Sequence, residues 1–270
     1  MTETNAKHES LPQNVGIAGF WETIRNAPSV ALLLDYDGTL APFHVNRLQA
    51  VPLDGIVDAL QGIGRHTDTL VALVSGRPIA EILSLMPDPG VTIIGTHGFE
   101  IRPPGEEIKV MLVDEAQQNL LDRAELDAEK LISKQRTERK IATVAAHFRG
   151  LDRLDAREYE SALTKRWLSY ADLSMVEVRQ FNGGLEMRAL GRHKGIAVAE
   201  YLATCPRHTL AVYLGDDDTD EDAFKALREV GGYGIRVGEP SKTTAAQGSL
   251  SSCDDVLRFL QKWIKERTNQ

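Results

Sequence analysis

Four short segments of the 270-residue sequence carry side chains that together could transfer a phosphoryl group. They are Asp35-Tyr36-Asp37-Gly38-Thr39, Ser75-Gly76-Arg77, Lys194 and the acidic run Gly215-Asp216-Asp217-Asp218-Thr219-Asp220-Glu221. Asp35 directly follows the apolar run Val30-Ala31-Leu32-Leu33-Leu34, and an unpaired carboxylate at the end of a buried strand is costly without a cation. A hard ion such as Mg²⁺ is the natural partner, and Asp216 offers it a second carboxylate. With the ion and Lys194 offsetting its charge, Asp35 could attack a phosphate in line and carry the phosphoryl group as an acyl phosphate. Ser75, Gly76 and Lys194 form the expected phosphate-binding set. Asp37 stands two residues on, where it could protonate the leaving oxygen and then take a proton from water, as a general acid and base. Gly38 lets the chain turn sharply, exposing N–H groups to phosphate oxygens, and Asp220 is expected to support the metal site from behind its ligands.

Each segment also has a plainer reading. Asp-x-Asp-Gly-Thr suits a β-turn, a Ser before Gly-Arg suits a helix cap, and most lysines serve only as solvated surface charge. The acidic run places Asp216, Asp218 and Asp220 at the first, third and fifth positions of a calcium loop. That reading fails, because the sixth position is Glu221 where Gly is needed and the twelfth is Leu227 where a bidentate Glu is needed. A solvated acidic loop remains the simple alternative.

The elements that must position these residues follow a βα rhythm. The apolar runs 30–34, 69–74 and 91–94 alternate with an amphipathic stretch from Leu53 to about Ile63 and a helix opened by Pro78. Short continuous apolar strands between amphipathic helices predict a parallel sheet covered on both faces, an α/β core. From about Leu112 to Leu190 the signal changes. A long charged helix, the run 141–147, a helix around 158–168, the strand 176–178 and an Asn182-Gly183-Gly184 hairpin turn predict an inserted α+β lobe. The βα rhythm then resumes with a helix from His193, strands 210–214 and 234–237, a helix from Thr219 and a last helix near 254–264. The expected organisation is a flexible polar tail over 1–19, a core formed by 20–111 and 191–270, and a cap formed by 112–190.

Composition sets outer limits. Hydrophobic residues make up 42% and charged residues 26%, as in an ordinary globular protein that needs no disulfide to fold. The net charge of −8, with no basic stripe, argues against a nucleic-acid partner, so an anionic ligand needs local cations or a metal. No apolar run approaches the ~20 residues that span a bilayer, and the start lacks a signal-peptide pattern. Two cysteines without CxxC spacing suit a reducing compartment, and a cytoplasmic location is expected.

DYDGTL, VSGR, a lysine after the insertion and GDDDTDE, in this order, resemble the four motifs of haloacid-dehalogenase-type phosphatases. Within that superfamily GDDDTDEDAF, GTHGFE, VAAHFRG and LEMR are similar to the trehalose-6-phosphate phosphatase family. The resemblance implies a Rossmann-like core with a mobile cap, Asp35 as nucleophile, Asp37 as acid and base, and Mg²⁺ held by Asp35, the carbonyl of Asp37 and Asp216. It implies sugar contacts from His147, Arg149 and Glu186 of the cap, with His97 from the core side. Hydrolysis of trehalose 6-phosphate by a stand-alone phosphatase is the implied activity. The alternatives are sucrose phosphate, glucosylglycerol phosphate or mannosylphosphoglycerate as substrate, or a silent sugar-phosphate sensor on the same fold. A signalling receiver module also gathers acidic residues, a Ser/Thr and a Lys around Mg²⁺, but its acceptor Asp is not followed by Asp-Gly-Thr and it has no cap.

Overall fold

The computed structural model describes residues 15–181, 183–239 and 243–268. The chain divides into two compact units, one running to Lys109 and resuming at Lys194, the other being Val110–His193. The first unit begins with α1 (Phe20–Asn26), β1 (Val30–Leu34), α2 (Ile56–His66), β2 (Leu70–Val74), α3 (Ile79–Leu85), β3 (Thr92–Gly95) and β4 (Glu100–Arg102). After β5 (Lys109–Val110), the inserted unit supplies α4 (Glu115–Leu131), β6 (Thr137–Arg139), β7 (Thr143–His147), α5 (Arg153–Leu168), β8 (Val176–Phe181) and β9 (Gly184–Ala189). The first unit then adds α6 (Lys194–Thr204), β10 (Leu210–Gly215), α7 (Glu221–Glu229), β11 (Tyr233–Val237), β12 (Gly248–Leu250) and α8 (Cys253–Thr268).

The main sheet runs β12-β11-β10-β1-β2-β3-β4-β5, and its strands from β12 to β3 are parallel. The five residues of β1 are all buried because both faces are covered. Val30, Leu32 and Leu34 enter one core cluster with Phe20, Ile24, Leu60, Phe259 and Trp263, while Ala31 and Leu33 enter a second with Val198, Tyr213 and Phe224. This division follows the two-residue period of a strand. The amphipathic α2 turns Ile56, Leu60 and Ile63 inward, each worth about 1.5–3 kcal/mol of burial.

Three details differ from the sequence expectation. Folding was expected to begin near Phe20, yet Val15 is already buried, its carbonyl accepts from Ser249 N–H at 3.0 Å, and the partly buried Ile17 packs against the same core. The remainder of the expected tail, residues 1–14, lies outside the described residues. Strands β4, β5, β6 and β12 have only two or three residues each, too few to show a periodicity in the sequence. The helix expected from Thr219 starts at Glu221, after a single 3₁₀ turn over Asp218–Asp220 capped by Asp217.

In the inserted unit the sheet order is β6-β7-β9-β8, antiparallel throughout. Val144, Ala146, Leu185 and Met187 are buried on one face, and α4 and α5 bury Leu121, Ala124, Ala128, Leu163 and Trp167. Trp167 Nε1–H donates to the Ala124 carbonyl at 3.2 Å, which joins the two helices. The other face is charged.

Candidate active site

β1 lies between β10 and β2, so residues following these three parallel strands share one sheet edge. Asp35 follows β1, Ser75 follows β2 and Asp216 follows β10. The ladder runs on past the strand ends: Asp35 N–H donates to Leu214 O and Ser75 N–H to Ile94 O, both at 2.9 Å. The carboxyl edge of a parallel sheet, where the strand order diverges from a central strand, is where such folds bind ligands.

Lys194, the first residue of α6, is buried with its ammonium 2.8 Å from Asp35 Oδ1 and 2.7 Å from Asp220 Oδ1. Asp220 is fully buried and fully satisfied: Oδ1 accepts from Lys194 and from the Tyr213 hydroxyl at 2.6 Å, and Oδ2 accepts from the N–H groups of Asp216 and Asp217, both at 3.0 Å. These donors use the lone pairs of both oxygens. Asp216 differs, because its Oδ1 is buried with no hydrogen-bond partner. A buried, unsatisfied carboxylate oxygen costs roughly 1–3 kcal/mol or more, so the site has capacity for a cation.

Asp35, Asp216 and Asp220 present carboxylate oxygens within 4.8 Å of one another. Burial first, and then the charge of Asp220, push Asp35 well above the ordinary carboxylate range. The same two causes push Asp216 up to about 7. Burial opposes the charge of Lys194, but Asp35 and Asp220 outweigh it and raise its pKa. Three carboxylates around one ammonium leave an excess of negative charge, and an all-oxygen donor set with one orphaned oxygen fits a hard divalent ion such as Mg²⁺. With Asp220 saturated, Asp35 and Asp216 are the side chains with oxygens to offer.

Gly38 has φ 69°, and a Cβ there would run into the Asp216 carboxylate, so the turn after Asp37 requires glycine twice over. The Cys253 thiol at the start of α8 donates to the Gly38 carbonyl at 3.3 Å. Asp37 is held by a residue to which the sequence assigned no role. Arg77 Nε donates to Asp37 Oδ2 and its NH2 group to Asp37 Oδ1, each at 2.6 Å. Arg77 is itself anchored by Glu81, by the Arg47 carbonyl at 2.9 Å and by stacking 5.5 Å from the Tyr36 ring centre.

Ser75 Oγ accepts from Arg77 N–H at 3.1 Å, the local turn that a Ser-Gly-Arg segment favours, on the same edge as Asp35. Gly76 is covered by His97: a Cβ at Gly76 would lie 2.6 Å from His97 Nε2. Thr96 and His97 have φ of 50° and 54°, a left-handed conformation costly for non-glycine residues. It is held in place because Thr96 N–H donates to Arg77 O at 2.9 Å and His97 N–H to Ser75 O at 3.0 Å.

His147, Arg149 and Glu186 belong to the inserted unit. His147 Nε2 is 3.1 Å from Glu138 Oε2, and Glu138 lies 3.6 Å from Lys140 Nζ. Glu186 pairs with Arg179 at 3.0 Å, while Arg188 pairs with Glu177 at 2.5 Å, so these charged residues form cross-strand ion pairs. The Arg149 carbonyl accepts from Arg136 at 3.0 Å, and its side chain passes Gly183, where a Cβ would lie 3.3 Å from Nε. Glu138, Lys140 and Arg179 were missed by sequence reasoning. The signal was present as alternation in β8, where Glu177 and Arg179 are two apart, the period that puts side chains on one strand face, whereas Lys140 lies just past the end of β6.

Residues 33–254 match the model of the trehalose-phosphatase family. Probable trehalose-phosphate phosphatase D of Arabidopsis thaliana is 30% identical over 253 residues, which cover 87% of this chain and 67% of that protein. Trehalose 6-phosphate phosphatase RA3 of Zea mays is 29% identical, covering 88% of this chain and 70% of that protein. The structure of Aspergillus fumigatus trehalose-6-phosphate phosphatase superposes with a TM-score of 0.65 at 26% identity, over 92% of this chain and 97% of that one. The C-terminal domain of C. albicans trehalose-6-phosphate phosphatase shares the fold, with a TM-score of 0.73 at 23% identity over 91% of this chain and 95% of that one. A family match over most of the chain, together with these identities, establishes that the chain belongs to the trehalose-phosphatase family.

Proposed function

We propose that this chain hydrolyses trehalose 6-phosphate to trehalose and inorganic phosphate through an aspartyl-phosphate on Asp35. The observation that carries the reading is the buried set Asp35–Lys194–Asp220 beside an orphaned Asp216 oxygen, at the carboxyl edge of the parallel sheet. Asp35 has an ammonium 2.8 Å away that offsets its charge as a phosphate approaches, as a nucleophile here requires.

Asp35 attacks phosphorus in line, the bond from phosphorus to the sugar oxygen breaks, and Asp37 gives that oxygen its proton. Water then attacks the acyl phosphate at phosphorus while Asp37 takes its proton, returning Asp35 as carboxylate. Lys194, the Ser75 hydroxyl and the backbone at Gly76 hold the phosphate oxygens, which fixes the line of attack. Asp35, the Asp37 carbonyl and Asp216 would hold Mg²⁺, which would neutralise charge on the phosphoryl oxygens. Asp220 holds Lys194 and the backbone of residues 216 and 217 from behind.

For the sugar we propose His147, Arg149 and Glu186 of the inserted unit, and His97. The charged sheet face that carries His147 and Glu186 supports this role, since carboxylates and guanidinium groups in pairs can exchange hydrogen bonds with sugar hydroxyls. A cytoplasmic location is in keeping with two free thiols, Cys205 and Cys253, and among the described residues no helix is long and apolar enough to cross a membrane.

The test is phosphate release from trehalose 6-phosphate, sucrose 6-phosphate, glucose 6-phosphate, glucosylglycerol phosphate and mannosylphosphoglycerate with Mg²⁺. The highest kcat/KM is expected on trehalose 6-phosphate, by about tenfold or more, because a site built for particular hydroxyls rejects esters that leave its polar groups unpaired. Faster turnover of another ester would replace the substrate and keep the chemistry. No turnover of any would favour a sensor.

A further inference from the structure

The hydroxyl of Tyr213 has no part in the chemistry above, yet it is a donor to the carboxylate that holds Lys194. Tyr213 lies in β10 with its ring fully buried and edge-on to Phe224, centroids 5.7 Å apart. Its O–H donates to Asp220 Oδ1 at 2.6 Å, and that same oxygen accepts from Lys194 Nζ at 2.7 Å. Burial, and next the charge of Asp220, keep the phenol protonated and therefore a donor. The other carboxylate oxygen is pinned by two backbone N–H groups, so the Asp220 plane has no freedom to turn.

This arrangement has a consequence for Lys194. Its ammonium is shared between Asp220 and the nucleophile Asp35, at nearly equal distances of 2.7 and 2.8 Å. A carboxylate oxygen that served Lys194 alone would draw the ammonium toward itself. A second strong donor on that oxygen takes up part of its charge and weakens that pull, which leaves Lys194 directed at Asp35 and at an incoming phosphate. The hydroxyl also fixes which side of Oδ1 the ammonium meets. A phenylalanine would fill the same space in the core, so packing alone does not call for the oxygen.

We propose that Tyr213 is a positioning residue of the phosphoryl-transfer site, acting through Asp220 on Lys194. The proposal rests on the aspartyl-phosphate reading and adds a residue to it.

The test is Tyr213→Phe, which keeps the ring and removes the donor. Binding of inorganic phosphate in the presence of Mg²⁺, measured by calorimetry, should weaken about tenfold, and kcat should fall by a similar factor on both trehalose 6-phosphate and p-nitrophenyl phosphate. The double variant Tyr213→Phe/Asp220→Asn should be no worse than Asp220→Asn alone, because the two groups act as one unit. Phe224→Leu, which loosens packing around the same ring, should lower Tm and leave phosphate affinity within about twofold. In the wild-type chain, labelled at the tyrosine ring carbon that bears the hydroxyl, phosphate with Mg²⁺ should shift the Tyr213 resonance, a readout that needs no folded variant. Unchanged phosphate binding in Tyr213→Phe, additive losses in the double variant, or an unmoved resonance would overturn the proposal. Activity in Asp35→Asn would instead remove the reading on which it rests, so the two failures are distinct.

Discussion

Arg77 grips Asp37 through two parallel N–H···O bonds, Nε to Oδ2 and NH2 to Oδ1, each 2.6 Å long. The fork geometry fixes the plane of the carboxylate as well as its position. Asp37 could not serve the leaving oxygen and then a water unless something governed its orientation, and Arg77 is buried and anchored enough to do so. Arg77→Lys should therefore fold, since the charge is kept, but lose the fork. We expect kcat on trehalose 6-phosphate to fall about 10–100-fold and kcat on p-nitrophenyl phosphate to fall less, because its leaving group needs no proton. Steady-state kinetics on the two substrates check this, and equal losses would make Arg77 a purely structural anchor.

Removing metal should be visible without any assay of turnover. Mg²⁺ added to chelator-treated protein should raise Tm by relieving the excess of buried carboxylate charge, and Asp216→Asn should abolish most of that gain. The gain should be larger at pH 8 than at pH 6. Asp216, pushed up to about 7 by burial and then by Asp220, takes a proton in the metal-free protein as pH falls, and the ion must displace it. Differential scanning fluorimetry at the two pH values reads both effects. A Tm insensitive to Mg²⁺ would contradict the metal site.

The sugar-binding role proposed for the inserted unit should separate from the core chemistry. Glu186→Ala removes a carboxylate that pairs with the partly exposed Arg179, so little stability is at stake. The expected result is a fall of about 10–100-fold in kcat/KM for trehalose 6-phosphate, with p-nitrophenyl phosphate within about twofold, because a small aryl ester has no sugar to be positioned. Parallel loss on both would place Glu186 among structural residues.

Arg267 offers a stability test remote from the site. Its buried guanidinium donates to the carbonyls of Ile24 and Ala27 at 2.9 Å and to Asp68 at 2.5 Å, so it closes the end of α1 against α8. Arg267→Ala leaves those carbonyls without their donor and should cost about 3 kcal/mol, lowering Tm by roughly 5–10 °C. The kcat at 25 °C should be unchanged. A Tm within about a degree of wild type would show that water replaces the guanidinium at little cost.

What the sequence made legible was local. Asp35 could be placed because five apolar residues precede it and Gly38 follows, and strand, turn and carboxylate all lie within nine positions. The parallel character of β1, β2 and β10 followed from the same continuous apolar runs, whereas their order in the sheet joins segments far apart in the chain and did not. The pairing of Asp37 with Arg77 joins residues 40 positions apart, and nothing in Ser-Gly-Arg says where its guanidinium will turn. Tyr213 reads as one more core residue of β10, since a hydroxyl 2.6 Å from Asp220 leaves no trace in apolar periodicity. The polar β6 was invisible for the opposite reason: Thr-Glu-Arg has no apolar face, and its pairing with β7 alone makes it a strand. Val15 was read as tail because one buried residue at the edge of β12 makes no pattern.

Rapid-quench mass spectrometry of the enzyme turning over trehalose 6-phosphate with Mg²⁺ reads whether Asp35 carries the phosphoryl group. The wild-type chain should carry one phosphoryl group transiently, on the peptide containing Asp35, appearing and decaying fast enough to account for kcat. Asp35→Asn, nearly identical in shape, should fold, carry none and release no phosphate. Turnover by Asp35→Asn above about one per cent of wild type, or a phosphoryl group found on any other residue, would contradict the mechanism.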